Sequence, residues 1–215
     1  MLLVAKRLGN VYADNMSAND NSVNINSRKG SYHHGDLRAE LIRIGLEHLS
    51  RAPAEELSLR EIAREAGVSA TAVYRHFPDK KALESALCRG GAEQLGAEQA
   101  RAMDEAGGGQ TGFNAVGRAY VRFALANPAL FRLISKTRAP ADFFEGKSDT
   151  QSSAMRLLRD SIAALTAGEA DADAQRVQAI QSWAMVHGLA FLMLDGLVPA
   201  DEALIDRVIG PFTAP

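Results

Sequence analysis

From Asp36 onward, apolar residues recur every three or four positions, and nowhere do they alternate with polar ones long enough to make a useful strand. Such a chain hides its apolar stripes by packing helix on helix, so the expected fold class is all-α. The punctuation sets the helix lengths. The first helix is expected over about 36–51, with Leu37, Leu41, Ile44, Gly45 and His48 on one face and Pro53 ending it. Ser58 with Glu61 three residues later has the spacing of a capping box, opening a helix over 59–66 that buries Leu59, Ile62, Ala63 and Ala66. Gly67 supplies the left-handed residue that closes it. Ser69 caps a short helix over 70–76, and Asp79, after Phe77-Pro78, caps a long one over 80–103. Beyond Gly107-Gly108-Gly109, helices are expected over 112–126, 128–136, 150–167, 172–194 and 201–209.

Residues 1–30 form an expected flexible tail, because 15–29 is rich in Asn, Ser and Asp with isolated apolar residues at no regular period. Met16 is a second candidate start. The rest divides into a compact three-helix head, 31–88, and a helical body, 89–215, joined by the long fourth helix. Residues 1–90 hold 13 Lys+Arg against 11 Asp+Glu, a balance of +2, and residues 91–215 come to −4. A mildly basic front and an acidic back suit two modules with different partners. The single cysteine, Cys88, cannot form an internal disulfide, which predicts a reducing, cytoplasmic setting. It reads as a small buried hydrophobe. No uninterrupted apolar run approaches the roughly 18–20 residues that cross a bilayer; the nearest, 183–194, is broken by His187 and Gly188. No membrane association is expected.

In the head, two short helices flank Gly67-Val68, the arrangement of a helix-turn-helix. The first helix braces the backbone, and the second is of a size to enter a major groove. Its outward face carries Ala70, Thr71, Tyr74 and Arg75, while Val73 and Phe77 look inward. Small residues at Ala70 and Thr71 let a helix sit deep, and Thr71 offers a hydroxyl to a base edge and a methyl to thymine. Tyr74 and His76 have polar tips suited to phosphate oxygens. Lys80 falls in the first turn of the next helix, where free N–H groups favour an anion. A purely structural reading stays open: Tyr74 packing on the first helix, and His76 capping the second.

The longer string LSLREIAREAGVSATAVYRHFPDKKAL, residues 57–83, resembles the DNA-binding head of the TetR family of transcriptional regulators. Ile62-Ala63, Ala66-Gly67-Val68-Ser69, Tyr74, His76-Phe77, Lys80 and Leu83 carry the resemblance, and Tyr32-His33-His34-Gly35-Asp36-Leu37 is similar to the opening of one TetR subgroup. Thr71 and Ala72 depart from the Gly and Thr common there, which alters the expected base preference. The resemblance implies a homodimer on a palindromic double-stranded operator. It implies DNA contacts from Arg60, Ser69, Ala70, Thr71, Tyr74, His76 and Lys80, with the last three on phosphates. It also implies a repressor released by a small apolar effector.

In the body, Trp183-Ala184-Met185-Val186-His187-Gly188, followed by Asp195-Gly196, resembles a TetR C-terminal domain type named for Trp, His and Gly. The segment 127–133 fits the same type. Trp183, His187 and Phe191 share one helical face, and Gly188 would let another helix approach closely. With Phe123 and Phe131 they form the candidate effector pocket, His187 or Asp195 being the polar anchor. The alternative is plain core, with His187 bonded to a backbone carbonyl. The last two helices are apolar on more than one face and form the expected dimer seam. No cofactor is called for. His33-His34 is not a metal-ligand set, and no nucleophile elbow, P-loop or GxGxxG is present. The expected function is therefore regulation rather than enzymatic; an all-α enzyme or an effector-independent DNA-binding protein are the alternatives.

Overall fold

In the computed structural model, residues 37–136, 153–166 and 171–210 are described, and among them every regular element is helical. The expected tail, His33-His34 and the loop over 137–148 lie outside the described residues. The chain divides into two compact units, Met1–Leu87 and Cys88–Pro215.

The first unit begins with α1, Leu37–Leu49, which buries Leu41, Ile42, Ile44, Leu46 and Leu49. It stops two residues earlier than expected. The amides of Ser50, Arg51 and Ala52 still reach back to carbonyls of the last turn, but Ala52 precedes Pro53, whose ring disfavours helical geometry there. Pro53 then opens a 3-10 turn, Ala54–Glu56, that the periodicity did not indicate. The second helix, α2, covers Leu59–Glu65. Ser58 has the extended backbone of an N-cap, yet its side chain makes no capping bond, so the capping box is not formed. Leu57 and Ile62, both buried, occupy the positions of a hydrophobic staple and hold the entry instead.

The turn after α2 is a Schellman motif: Gly67 at φ +67°, its N–H donating to Arg64 O and the Val68 N–H to Ala63 O. In α3, Ala70–His76, the Ser69 hydroxyl accepts from the Ala72 N–H. Asp79 caps the next helix through the Ala82 N–H at 2.7 Å. That helix, α4, covers Lys80–Glu105 and is shared by both units. Gly45 lets α1 lie against Leu87, since a Cβ there would meet its methyls at 3.0 and 3.2 Å.

The second unit contains the rest of α4 and α5 to α9: Gly109–Ala126, Pro128–Lys136, Ser153–Leu165, Ala172–Leu194 and Glu202–Ile209. Gly107, Gly108 and Gly109 all have positive φ, so the turn between α4 and α5 uses three residues that any side chain would strain. Pro128 occupies the first position of α6, where its missing N–H is harmless. Asp171 and Asp201 cap α8 and α9.

Phe113 of α5, Ile162 of α7 and Ala179 of α8 pack together with Leu158 and Leu165 around them. A Cβ at Gly117 would meet Ile209 at 3.1 Å and Val186 at 3.3 Å, so this glycine seats α5 against α8 and α9. Arg118 pairs with Asp206 at 2.6 Å, and Arg122 forks onto both carboxylate oxygens of Glu202. By length and composition α8 is apolar enough to cross a membrane, a longer run than the sequence reading allowed. It packs on α5 and α7 in the body, and its buried face includes Gln178 and Ser182.

Candidate functional site

The head presents one chemical surface. Two apolar pins, Val73 and Phe77, each 1% exposed, hold α3 down. That orientation leaves Ala70, Thr71, Tyr74, Arg75 and His76 exposed, Tyr74 at 45%. Tyr74 is thus not buried against α2. Arg38 stands over the Phe77 ring at 5.2 Å, and His48 Nε2 meets Glu65 Oε1 at 3.0 Å, tying α1 to α2. Ser69 is exposed with its oxygen engaged as a cap, which leaves the hydroxyl hydrogen free to donate. Arg60 is exposed on α2, as is Lys81 beside Lys80.

Lys80 does more than the sequence suggested. Its ammonium donates to Glu55 O in the 3-10 turn at 2.6 Å and lies 3.8 Å from Glu84. Two of its three N–H groups remain beyond the Glu55 bond. The signal for this role was absent from the periodicity, because the partner is a backbone carbonyl 25 residues earlier.

The body gathers aromatic residues around one imidazole. His187 stacks on Trp183 with centroids 4.7 Å apart, meets Phe191 edge-on at 4.9 Å and lies 5.7 Å from Phe131. Phe131 in turn contacts Phe191 and Tyr120, each at 5.5 Å. Phe123 is buried but is not one of the rings that touch this imidazole. The hydrogen-bond partner of His187 is the Tyr120 hydroxyl, 2.8 Å from Nδ1, and not a backbone carbonyl.

Burial lowers the His187 pKa, which favours the neutral ring. Burial also drives the Tyr120 phenol well above its ordinary value, while a hydrogen bond with Trp183 pulls the other way. The indole can only donate. Tyr120 therefore accepts from Trp183 and donates to His187 Nδ1, which leaves the imidazole proton on Nε2.

Tyr120 was missed in the sequence. It falls on the core stripe of α5 with Phe113, Val116 and Phe123, and a tyrosine at such a position demands a partner for its hydroxyl. Asp195, expected as an anchor, is instead the exposed C-cap of α8 and pairs with Arg132, which also stands over Phe191. It lies beyond the last buried turn, where a carboxylate stays solvated. The expected close approach at Gly188 is also not found: a Cβ there would meet nothing within 4 Å.

Residues 41–87 match the family described as bacterial regulatory proteins, tetR family. Residues 113–210 match the tetracyclin repressor-like C-terminal domain. No curated protein matches the chain. A solved structure of a protein with unknown function from Rhodococcus sp. RHA1 is 33% identical, with 85% of this chain and 94% of that one covered and a TM-score of 0.69. A TetR transcriptional regulator from Rhodococcus sp. RHA1 shares the fold at 19% identity, with 80% and 92% covered and a TM-score of 0.51. With both units matched, this chain belongs to the TetR family of transcriptional regulators.

Proposed function

We propose that the protein is a cytoplasmic homodimeric repressor that holds a palindromic operator and leaves it when a small, substantially apolar effector enters the body. The observation carrying this reading is the outward face of α3. Ala70 and Thr71 read base edges, Thr71 by its hydroxyl and methyl. Ser69, Tyr74, His76 and Lys80 position the head on phosphates, with Arg60 contributing from α2. Phosphate contacts set register, and base contacts set sequence.

One head is too small for tight specific recognition, which usually buries about 1,000–2,500 Å² of protein. Two copies related by a two-fold axis supply the area. Val177, Ile180, Ala184, Gly188 and Leu192 follow one another at helical spacing along α8, with Val177 and Leu192 each 43% exposed. With α9 this stripe is the proposed seam, and the open space at Gly188 belongs to the partner copy.

The effector reading rests on the Tyr120, Trp183 and His187 cluster, an apolar surround with a few placed polar atoms. Phe131 and Phe191 wall it. The helix shared by both units, α4, carries the coupling.

Selection of bound DNA from a random pool tests the proposal. The expected product is a palindrome whose half-sites report the dimer, and Thr71→Ala is expected to relax one base pair of each half-site. Recovery of unrelated sequences, or of a single half-site, would refute it.

A further inference from the structure

Resting on the effector reading, we infer that the body recognises an apolar monocarboxylic acid. Its carboxylate is received by a buried polar layer about one helical turn from the Tyr120 cluster, formed by Arg159, Gln178 and Ser182 with Gln99 opposite.

Gln99, Gln178 and Ser182 are 5%, 6% and 4% exposed. The Gln99 Nε2 donates to Val116 O at 3.3 Å, but its Oε1 has no hydrogen-bond partner. Gln178 Nε2, Ser182 Oγ and Arg159 Nε are also buried without one. Native interiors leave few such atoms, because each loses water and gains nothing. The same helices show how polar groups here are ordinarily satisfied. Ser161 and Thr166 donate to carbonyls of their own helix, and Gln175 donates to Thr166.

Helix register brings these four unpartnered atoms to one level, whereas Gln94 Oε1 lies five residues before Gln99 and Arg118 Nε faces Asp206. Gln99 lies against Val116 of α5. Phe113 packs with Ala179 and Ile162, and Gly117 faces Val186. Val116 falls between Phe113 and Gly117 on α5, as Ser182 falls between Ala179 and Val186 on α8. Gln178 lies four residues before Ser182 on the same face. Arg159 precedes Ile162 by three and adjoins Leu158, which packs on the same cluster. Trp183 follows Ser182 on α8, about 100° around the helix, so the polar layer and the ring-bearing face are neighbouring faces of one helix.

The chemistry of the atoms selects the ligand. Arg159 Nε and Gln178 Nε2 can only donate, and the Ser182 hydroxyl donates readily. Three donors, one of them charged, suit a carboxylate, whose two oxygens offer only acceptor sites. Gln99 Oε1 accepts, and takes a hydroxyl on the chain of the same acid.

The probes are decanoate, 3-hydroxydecanoate and decanamide, titrated into the full chain and read by emission of Trp183, the only tryptophan. Decanoate is expected to shift the emission saturably, 3-hydroxydecanoate more tightly, and decanamide roughly tenfold more weakly than decanoate, the loss of one charge-assisted pair. Arg159→Met should abolish the preference for acid over amide. Ser182→Ala and Gln178→Leu should weaken the acid while raising the unfolding midpoint without it, since each removes a buried orphan. Far-UV circular dichroism checks that the variants fold, and Ser182→Ala is the mildest of them.

Equal affinity for decanoate and decanamide, no binding by either, or a lower midpoint in Ser182→Ala with acid affinity unchanged would each overturn the proposal. DNA retention is measured in parallel to separate the two readings. Saturable acid binding with DNA affinity unchanged supports the polar layer and defeats the effector role. Release of DNA by decanamide but not by decanoate defeats the carboxylate and leaves the effector role standing.

Discussion

The head and the body are both helical, but they keep their chemistry in opposite places. In the head, helices as short as the seven residues of α2 and α3 are closed by local devices, and the reactive groups stand outside. In the body, the longer helices hold a half-buried imidazole, a buried phenol and several polar atoms without partners. Among the described residues, every buried side-chain N or O atom without a partner lies at or beyond Gln94, in the second unit. A surface that meets DNA must be displayed, so its spacing follows the helix period. The aromatic and polar groups of the body come from several helices, and no period connects them.

This contrast can be broken at the head core first. Phe77→Ala removes a side chain that is 1% exposed, at an expected 3–5 kcal/mol, roughly. Thermal unfolding followed by circular dichroism should show the loss, and DNA binding should fall with it. The Trp183 emission transition, which reports the second unit, should move much less. Parallel movement of both signals would mean that the two units melt as one.

Next is Tyr120→Phe. It deletes the hydroxyl that joins Trp183 to His187, and leaves a polar atom on each of these half-buried rings unmatched. The expected cost is about 1–3 kcal/mol in unfolding free energy, with a change in Trp183 emission. A variant of unchanged stability and emission would show that the hydroxyl is not structurally engaged.

Lys80→Ala separates two roles of one side chain. A phosphate contact predicts weaker binding to all sequences and a salt slope smaller by about one. The bond to Glu55 O predicts a modest loss of head stability in the same variant. Reduced stability with the salt slope intact would leave only the structural role.

The smallest effect is in pH. His187 has a folded pKa below its unfolded value because burial disfavours the charged ring. The unfolded chain therefore binds the proton more readily, and stability rises with pH through the range below about 6.5 and levels off above it. Unfolding midpoints at pH 5.5 and 7.5 should differ in that sense, and His187→Gln should narrow the difference. An unchanged gap would place the titration elsewhere.

Much of this molecule is local. Gly67 has no side chain to resist φ +67°, so it closes α2 wherever that helix is placed. Ser69, Asp79, Asp171 and Asp201 cap helices through amides three residues on, an interaction that needs nothing distant. The inward turn of Val73 and Phe77 follows from four-residue spacing, and the outward face of Thr71 and Tyr74 follows from theirs. Those features were legible because cause and effect lie within one or two helical turns.

The remainder was decided across the chain. Lys80 reaches a carbonyl 25 residues away, Tyr120 an imidazole 67 residues away, and Arg132 the carboxylate of Asp195 63 residues away. Ser58 shows the same lesson in reverse: the capping pattern was present, but burial of Leu57 and Ile62 had already fixed the entry to α2. Gln99 and Ser182 become chemically notable only once packing has removed water from them. Helix periodicity depends on neighbours three and four residues apart and is written in the sequence. Desolvation and partner choice depend on which helices pack together, and that is set only by the tertiary structure.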